Sequence, residues 1–172
     1  RSDTENKVYF NIHDGLDSTI RILKHRLKAS NNRPEIIIYK DYTEIPEIEC
    51  FAGQLNQVFM NLLANAIDAL EESNQGLRYE QIKNNPNCIT IYTKWEEVKK
   101  SVVVKIKDNG AGIPEEIKKR IFDNFFTTKA VGKGTGLGLF IANKIITQNH
   151  KGIIKINSKI GEGTEFIITI PA

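Results

Sequence analysis

The 172 residues suit a single domain, and 40% hydrophobic with 26% charged residues is the composition of an ordinary soluble globular protein. The 24 basic and 21 acidic residues leave a net charge of +3, which is too balanced for a dedicated nucleic-acid binder. Cys50 and Cys88 form no zinc motif, and we expect small buried side chains there. No apolar run approaches the ~20 residues that a bilayer requires. We expect an excised, monomeric, cytoplasmic fragment, whose parent protein could be membrane-attached.

The apolar pattern divides the chain into helices and strands. Spacings of three and four predict an amphipathic helix at residues 11–29, capped by Asn11 or Asp14. β-rich runs predict strands at 35–42 and 48–51. There follow a long helix (54–72), a polar insertion (73–87) with a helical turn at 79–83, a hairpin (88–95 and 101–107), a helix (137–148) and a closing hairpin (152–158 and 164–170). This order predicts a helical layer on a mixed sheet.

The long helix carries a narrow polar strip. Asn61, Asn65, Asp68 and Glu72 fall within about 60° of one another on its surface, and apolar residues cover more than half of the circumference. The simplest interpretation is a face that meets solvent. The alternative is a ligand site, because Mg²⁺ takes oxygen ligands and bridges phosphates. Asn65 would then be the metal ligand.

A second motif, DNGAGIP at residues 108–114, follows a strand directly. It could be no more than a turn. However, Gly110 and Gly112 would let the backbone approach a flat ligand closely, because they lack a Cβ. The carboxylate of Asp108 could accept a hydrogen bond from an amino group such as the adenine N6 amine, and Ile113 could cover the ring. The motif is therefore a candidate adenine site.

A third motif, GKGTGLGL at residues 132–139, places four glycines at alternate positions before a helix. Backbone N–H groups at a helix start bind anions, and glycine lets them turn towards phosphate oxygens. The spacing matches neither the Walker loop nor the dinucleotide-binding loop. A flexible linker is the alternative, but the motif passes directly into a helix. A different kind of phosphate cradle is indicated.

Taken in order, residues 61–69, 108–113, 122–129 and 132–139 resemble the four boxes of the ATP-binding domain of sensor histidine kinases. Residues 158–166 resemble that family's last hairpin, so that the resemblance spans 34–171. It implies the Bergerat fold, an α/β (α+β) two-layer sandwich whose mixed β-sheet is covered on one face by helices, with a mobile ATP lid. It also implies an amino-terminal helical segment (1–33) leading in from a missing dimerisation domain, an ATP-binding catalytic domain (34–172) and an insertion (73–87).

The resemblance assigns roles to individual residues. Asn65 would hold Mg²⁺ with the assistance of Asn61, and Asp108 would bind the adenine amine. A lid at 123–137 would be anchored by Phe122, Phe125 or Phe126, which could equally serve core packing. The implied catalytic residues are Asn61, Lys129 and Lys133. The implied ATP-binding residues are Asn61, Asn65, Asp68, Asp108, Gly110, Gly112, Ile113, Phe122, Thr127, Thr128, Gly132, Gly134, Thr135, Gly136, Leu137, Gly138, Leu139 and Thr164.

The residue at position 61 bears on the reaction. ATPases of the gyrase, chaperone and mismatch-repair type share this fold, and they carry a glutamate one turn before the metal-binding asparagine. Here that position is Asn61, and an amide cannot accept a proton as a general base. The chain therefore resembles an enzyme that transfers the γ-phosphoryl group rather than one that hydrolyses ATP.

The resemblance also implies partners. The acceptor would be a histidine on a separate dimerisation domain of the same protein, a homodimer, and a response regulator receiver domain would follow. His13, His25 and His150 lie in no phosphoacceptor motif, so we expect the fragment to bind ATP and to autophosphorylate poorly. Asp68 stands where many of these kinases have Lys or Arg, which leaves phosphate neutralisation to lysines of the lid. The alternatives are an anti-sigma-type serine kinase and a catalytically silent nucleotide-binding module.

Overall fold

The computed structural model describes residues 5–123 and 137–172. After the first strand, pairs of helices alternate with pairs of strands along this part of the chain, and a π-helical turn, Ile145–Asn149, directly continues the last helix. In chain order the elements are β1 (Val8–Phe10), α1 (Ile12–Ile22), α2 (Lys24–Leu27), β2 (Ile37–Tyr42), β3 (Ile48–Cys50), α3 (Ala52–Ser73), α4 (Tyr79–Asn84), β4 (Cys88–Glu96), β5 (Ser101–Asp108), α5 (Glu115–Lys118), α6 (Gly138–Lys144), β6 (Ile153–Lys159) and β7 (Gly163–Pro171).

The main sheet has five strands in the order β2-β4-β5-β7-β6. β2 runs parallel to β4, and the other neighbours are antiparallel. β4–β5 and β6–β7 are the two hairpins that the sequence predicts. The mixed sheet is therefore confirmed, and β5 lies at its centre. A separate two-stranded antiparallel sheet joins β1 to β3.

The helix α3 is the centre of the helical layer, and it packs against α1, α6 and β5. Burial of its apolar side chains supplies the main driving force for this packing. All eight apolar residues that the wheel assigns to its buried surface are buried, namely Leu55, Val58, Phe59, Leu62, Leu63, Ala66, Ile67 and Leu70. Gln54 is buried as well, and its Oε1 accepts a hydrogen bond from Asn149 Nδ2 at 2.9 Å. α3 can therefore expose only a narrow strip.

The first helix differs from the prediction. Instead of one helix over 11–29, α1 ends at Ile22 and α2 begins at Lys24, with a kink at Leu23. The predicted cap at Asn11 is confirmed, because its side chain accepts a hydrogen bond from the backbone N–H of His13 at 2.9 Å. No sequence pattern predicts the strand β1 or the helix α5. Both are too short, at three and four residues, to show a hydrophobic period.

The three histidines lie in different surroundings. His13 stacks on Tyr42 with ring centroids 4.2 Å apart, and its Nε2 lies 2.7 Å from Thr93 Oγ1. His25 is exposed. His150 is buried: its Nε2 accepts from the backbone N–H of Phe51 at 3.1 Å, and its Nδ1 donates to the carbonyl of Ile145 at 3.0 Å. Burial lowers the pKa of His150, so the neutral Nδ1–H tautomer fits this position.

Among the described residues, no helix has the length and apolarity to cross a membrane. Cys50 is buried in the core, as expected, whereas Cys88 is half-buried, and both are free thiols.

The surroundings of His150 predict a pH dependence of stability. Because its folded pKa is lowered, its stabilising contribution is full above the unfolded value of about 6.5 and is lost as pH falls through the folded pKa. Replacing His150 with glutamine should lower the free energy of unfolding by about 1–2 kcal/mol at pH 8. At pH 5.5 the free energies of unfolding of the variant and of wild type should be closer, because protonation of His150 destabilises wild type only. Chemical denaturation at both pH values measures the difference, with His25→Gln as the exposed control; an equal difference at both pH values would contradict the prediction.

Candidate functional site

A cavity of about 420 Å³ lies between the polar strip of α3 and the loop that follows β5. α3 contributes one wall, the loop and α5 contribute the opposite wall, and β7 contributes the floor. The lining residues are Asn65, Asp68, Ala69, Glu72, Ser73, Asp108, Ala111, Gly112, Ile113, Pro114, Ile117, Ile121 and Thr164. Most of the residues that the second motif identifies therefore line the same cavity as the polar strip of α3.

The polar strip of α3 divides between two surroundings. Asn65, Asp68 and Glu72 line the cavity. Asn61, one turn earlier, donates from Nδ2 to the carbonyl of Gly138 at 3.0 Å, at the start of α6. The strip therefore lines a cavity and meets a helix end, although Glu72 at its far end is exposed to solvent.

Asp68 has a partner that the sequence does not reveal. Arg26, in α2, donates from Nη2 to Asp68 Oδ1 at 2.8 Å and to Glu71 Oε1 at 2.9 Å. Partial burial acts to lower the pKa of the guanidinium, but the contacts with Asp68 and Glu71 together outweigh it and raise that pKa. Arg26 is thus a bridge between two carboxylates of α3. The amino-terminal helices thus reach the wall of the cavity.

Asp108 is the most deeply buried acidic group of the cavity, with 3% of its surface exposed. It is the last residue of β5, and it lies opposite Thr164 in the β5–β7 pair. Its Oδ1 accepts from the backbone N–H of Gly110 at 2.8 Å, and the carboxylate also accepts from the backbone of Thr164. Burial outweighs these bonds and raises the pKa of Asp108 to about 6.

The loop after β5 is held by close backbone packing. Gly112 has φ +83°, and a Cβ on it would lie 2.0 Å from the carbonyl oxygen of Lys159. Glycine is therefore required here by both the backbone conformation and the space. Asn109 fixes the other side of the loop: its Oδ1 accepts from the N–H of Cys88 at 2.9 Å, and its Nδ2 donates to the carbonyl of Pro86 at 2.9 Å. No sequence motif assigns Asn109 to the site, although its place in a turn is a signal, because asparagine in a turn commonly bonds to backbone.

Apolar side chains form the wall opposite α3. Ile113 lies in the cavity as the sequence predicts, and Ile117 and Ile121 join it. The spacing of four between these three residues is the signal that could have identified them. Lys118 anchors α5, since its Nζ donates to the carbonyl of Ser158 at 2.8 Å.

The floor of the cavity depends on Ser158, a residue that no sequence motif assigns to the site. Its Oγ lies 2.8 Å from Thr164 Oγ1, accepts from the N–H of Ile113 at 2.8 Å and donates to the carbonyl of Gly163 at 2.9 Å. Thr164 and Ser158 are both almost fully buried. One hydroxyl therefore joins the loop, the last hairpin and the floor of the cavity.

The remaining predicted residues lie at the edge of the site or outside the described residues. Phe122 packs against the core, with its ring centroid 6.2 Å from that of Phe166, and Leu139 also packs there. Leu137 is the N-cap of α6, and Gly138 lies beside Asn61. The other residues proposed for the lid and phosphates fall in 124–136, outside the described residues: Phe125, Phe126, Thr127, Thr128, Lys129, Gly132, Lys133, Gly134, Thr135 and Gly136.

Comparison with known proteins identifies the family. The family described as "Histidine kinase-, DNA gyrase B-, and HSP90-like ATPase" matches residues 52–172, which include α3, both hairpins and every residue that lines the cavity. The chain belongs to this ATPase family. Its named relatives include sensor and sporulation kinases, and within the family it is a catalytic ATP-binding domain of the sensor histidine kinase type.

Two curated relatives illustrate the match. Sensor kinase CckA of Brucella abortus is 42% identical over 122 residues, covering 69% of this chain and 12% of that protein. Sporulation kinase E of Bacillus subtilis is 35% identical over 153 residues, covering 89% of this chain and 18% of that protein. The chain thus spans less than a fifth of the length of these relatives.

Solved structures of histidine kinases have the same fold. The nucleotide-free catalytic domain of histidine kinase ThkA is 29% identical, with a TM-score of 0.76, and the match covers 96% of this chain and 95% of that one. ThkA in complex with response regulator protein TrrA is 25% identical with a TM-score of 0.70, covering 96% of this chain and 41% of that one. The predicted α/β sandwich is confirmed.

Gly112 and Gly161 allow the cost of a left-handed backbone to be measured separately from the cost of a steric clash. Gly112 and Gly161 have nearly the same φ, +83° and +86°, but a Cβ on Gly161 would meet nothing within 4 Å. Gly161→Ala should therefore lower the free energy of unfolding by only about 1 kcal/mol, which is the cost of placing alanine in the left-handed conformation. Gly112→Ala should cost at least about 3 kcal/mol, because the new methyl group meets backbone. Thermal unfolding of the two variants measures the difference, and equal costs would show that packing against Lys159 is unimportant.

Asp108 predicts a second pH dependence, of opposite sign to that of His150. Its folded pKa is raised, so its contribution to stability is full below about 3.8 and is lost as pH rises through about 6. Without ligand, the stability of Asp108→Asn relative to wild type should rise between pH 5 and pH 8 by about 1.4 kcal/mol, which corresponds to about one pK unit. Denaturation curves across that range, with the exposed Asp41→Asn as control, measure the gain. A gap between Asp108→Asn and wild type that stays constant over this range would contradict the raised pKa.

Proposed function

We propose that this chain binds Mg-ATP in the cavity and transfers the γ-phosphoryl group to a histidine on a separate dimerisation domain of the same protein. A response regulator receiver domain would be the next partner, as in a two-component pathway, and we assign the domain to the cytoplasm. The observation that carries the proposal is the buried carboxylate of Asp108 facing the amide and carboxylate strip of α3 across one cavity.

The inner end of the cavity suits adenine. Asp108 is a buried acceptor whose two backbone bonds leave acceptor capacity on its carboxylate, and the adenine N6 amine is a donor. Ile113, Ile117 and Ile121 offer the apolar surface that a flat base requires. The volume of about 420 Å³ is that of a pocket for a small molecule.

The wall of α3 suits the metal and the phosphates. Asn65 lines the cavity beside the two carboxylates of Asp68 and Glu72, and an amide oxygen together with carboxylate oxygens is a set of donors that fits Mg²⁺. Bound Mg²⁺ would neutralise phosphate charge. Asn61 holds the start of α6, the helix that residues 132–136 precede in sequence. We propose that Lys129 and Lys133 contact phosphate and that the glycines of this motif supply backbone donors.

Two features of the described residues bear on transfer of the phosphoryl group, in place of hydrolysis of ATP, and on its acceptor. The side chain one turn before Asn65 is an amide, Asn61, which cannot activate water as a base. Of the histidines, His150 has both nitrogens in hydrogen bonds within the core, which leaves no lone pair accessible for phosphorylation. The first fact favours transfer and the second excludes His150 as the acceptor; because His13 and His25 lie in no phosphoacceptor motif, we propose an acceptor on another domain. Residues 1–33 would lead in from it, and the parent protein would be a homodimer.

Calorimetry of Mg-ATP binding tests the site. Asp108→Ala should abolish most of the adenine affinity, at least about tenfold, because a buried hydrogen bond to a charged group is lost. Asn65→Ala should abolish the dependence of binding on Mg²⁺. The exposed residues Asp41, in β2, and Gln57, in α3, provide matched alanine controls. Unchanged binding in both site variants would refute the proposal.

Phosphotransfer tests the reaction. With the parent protein's dimerisation domain supplied in trans and γ-labelled ATP, label should pass to that domain as acid-labile phosphohistidine, and little phosphate should be released. Acid-stable label on a partner would instead indicate a serine kinase. Mg-ATP binding without any transfer would indicate a silent nucleotide-binding module.

A further inference from the structure

Three buried polar side chains meet at the floor of the cavity. Asp108, Ser158 and Thr164 are exposed by 3%, 3% and 4%, and they come from three neighbouring strands, β5, β6 and β7. Two of them, Asp108 and Thr164, line the cavity, whereas Ser158 lies behind them. A group that binds in the cavity therefore meets Asp108 and Thr164 and does not touch Ser158.

The number of protons available to Ser158 fixes the direction of its hydrogen bonds. A serine hydroxyl donates one hydrogen and accepts up to two. The proton of Ser158 goes to the carbonyl of Gly163, at 2.9 Å, and one lone pair accepts from the N–H of Ile113, at 2.8 Å. The contact of 2.8 Å with Thr164 Oγ1 must then be a hydrogen bond donated by Thr164.

The geometry at Gly163 keeps this arrangement in place. Gly163 has φ +86°, and a Cβ on it would lie 2.1 Å from the carbonyl oxygen of Asp108. The start of β7 can therefore lie against the end of β5 only with glycine at this position. This close approach places the carbonyl of Gly163 where Ser158 donates to it.

We propose that Ser158 is a positioning residue that sets which base the cavity accepts. By accepting the proton of Thr164, Ser158 leaves only lone pairs of Thr164 Oγ1 facing the cavity, next to the carboxylate of Asp108. With Asp108 ionised, the corner then presents acceptors alone. It favours a purine with an amino group at position 6 and disfavours one with an oxygen there, because two facing acceptors without a donor are unfavourable. The inference rests on the proposed binding of ATP.

The test compares ATP with inosine triphosphate, which carries a 6-oxo group and a hydrogen on N1. We define the discrimination ratio as the Kd of Mg-inosine triphosphate divided by the Kd of Mg-ATP. Wild type should bind ATP more tightly. In Ser158→Ala the hydroxyl of Thr164 is free to rotate and donate to the 6-oxo group, so the ratio should fall about three- to tenfold, the effect of one net hydrogen bond.

A double-mutant cycle separates this role from general support of the fold. Thr164→Val removes the hydroxyl through which Ser158 would act. Adding Ser158→Ala to that variant should leave the discrimination ratio unchanged, because no proton remains to be redirected. A merely structural role of Ser158 would change the affinity for both nucleotides equally and would leave the ratio of the single variant at its wild-type value.

A second variant keeps the test valid if Ser158→Ala does not fold, which thermal unfolding would reveal. Ser158→Cys fills a similar volume but is a weak donor and a weak acceptor, so its ratio should fall in the same direction. An unchanged ratio in the folded Ser158 variants, or an equal fall in the Thr164→Val background, overturns the inference while ATP binding stands. Failure of wild type to bind ATP overturns the proposed function and this inference with it.

Discussion

Burying the carboxylate of Asp108 carries a desolvation penalty that its neighbours must offset. They do so with backbone donors from Gly110 and Thr164, which the turn after β5 and the pairing with β7 direct at it. The offset is incomplete, since the pKa remains raised to about 6. A ligand that donates a hydrogen bond to this carboxylate supplies what the protein leaves unsatisfied. The requirement explains why the loop, the last hairpin and their glycines are packed so closely around one side chain.

The second constraint is the shape of α3. Because apolar residues cover most of its surface, the helix has to lie against the sheet, α1 and α6, and its polar strip has only one direction in which to point. That direction is across the cavity from the end of β5. Packing of the apolar side of α3 in the core thus fixes the position of the polar side chains on its opposite side. Asn65 owes its place in the cavity to Leu62, Ala66 and their neighbours on the buried side.

Local patterns in the sequence were sufficient to predict much of the fold and the part of the site that α3 and the turn at Asp108 form. The strip of α3, the turn at Asp108 and both hairpins have periods or turn residues that lie within about ten residues, so each could be predicted on its own. Ser158 could not, because its role depends on Ile113, 45 residues away. Likewise β1 gains its strand character only by pairing with β3. Side chains that act through distant partners leave no periodic signal.

Asp68 shows how a distant contact changes the interpretation of a site. The resemblance to sensor histidine kinases implies that an acidic residue at this position would remove a positive charge from the proposed phosphate region and leave neutralisation to the lid. In the fold, Arg26 lies 2.8 Å from Asp68 and brings a positive charge to it from another element, 42 residues away. The pair is partly exposed, with both side chains 28% accessible, so it adds only about 0.2–1 kcal/mol to stability. Its larger effect is electrostatic: α2, which shares the core with α3 through Leu27, offsets the negative charge of the wall that would face the phosphates.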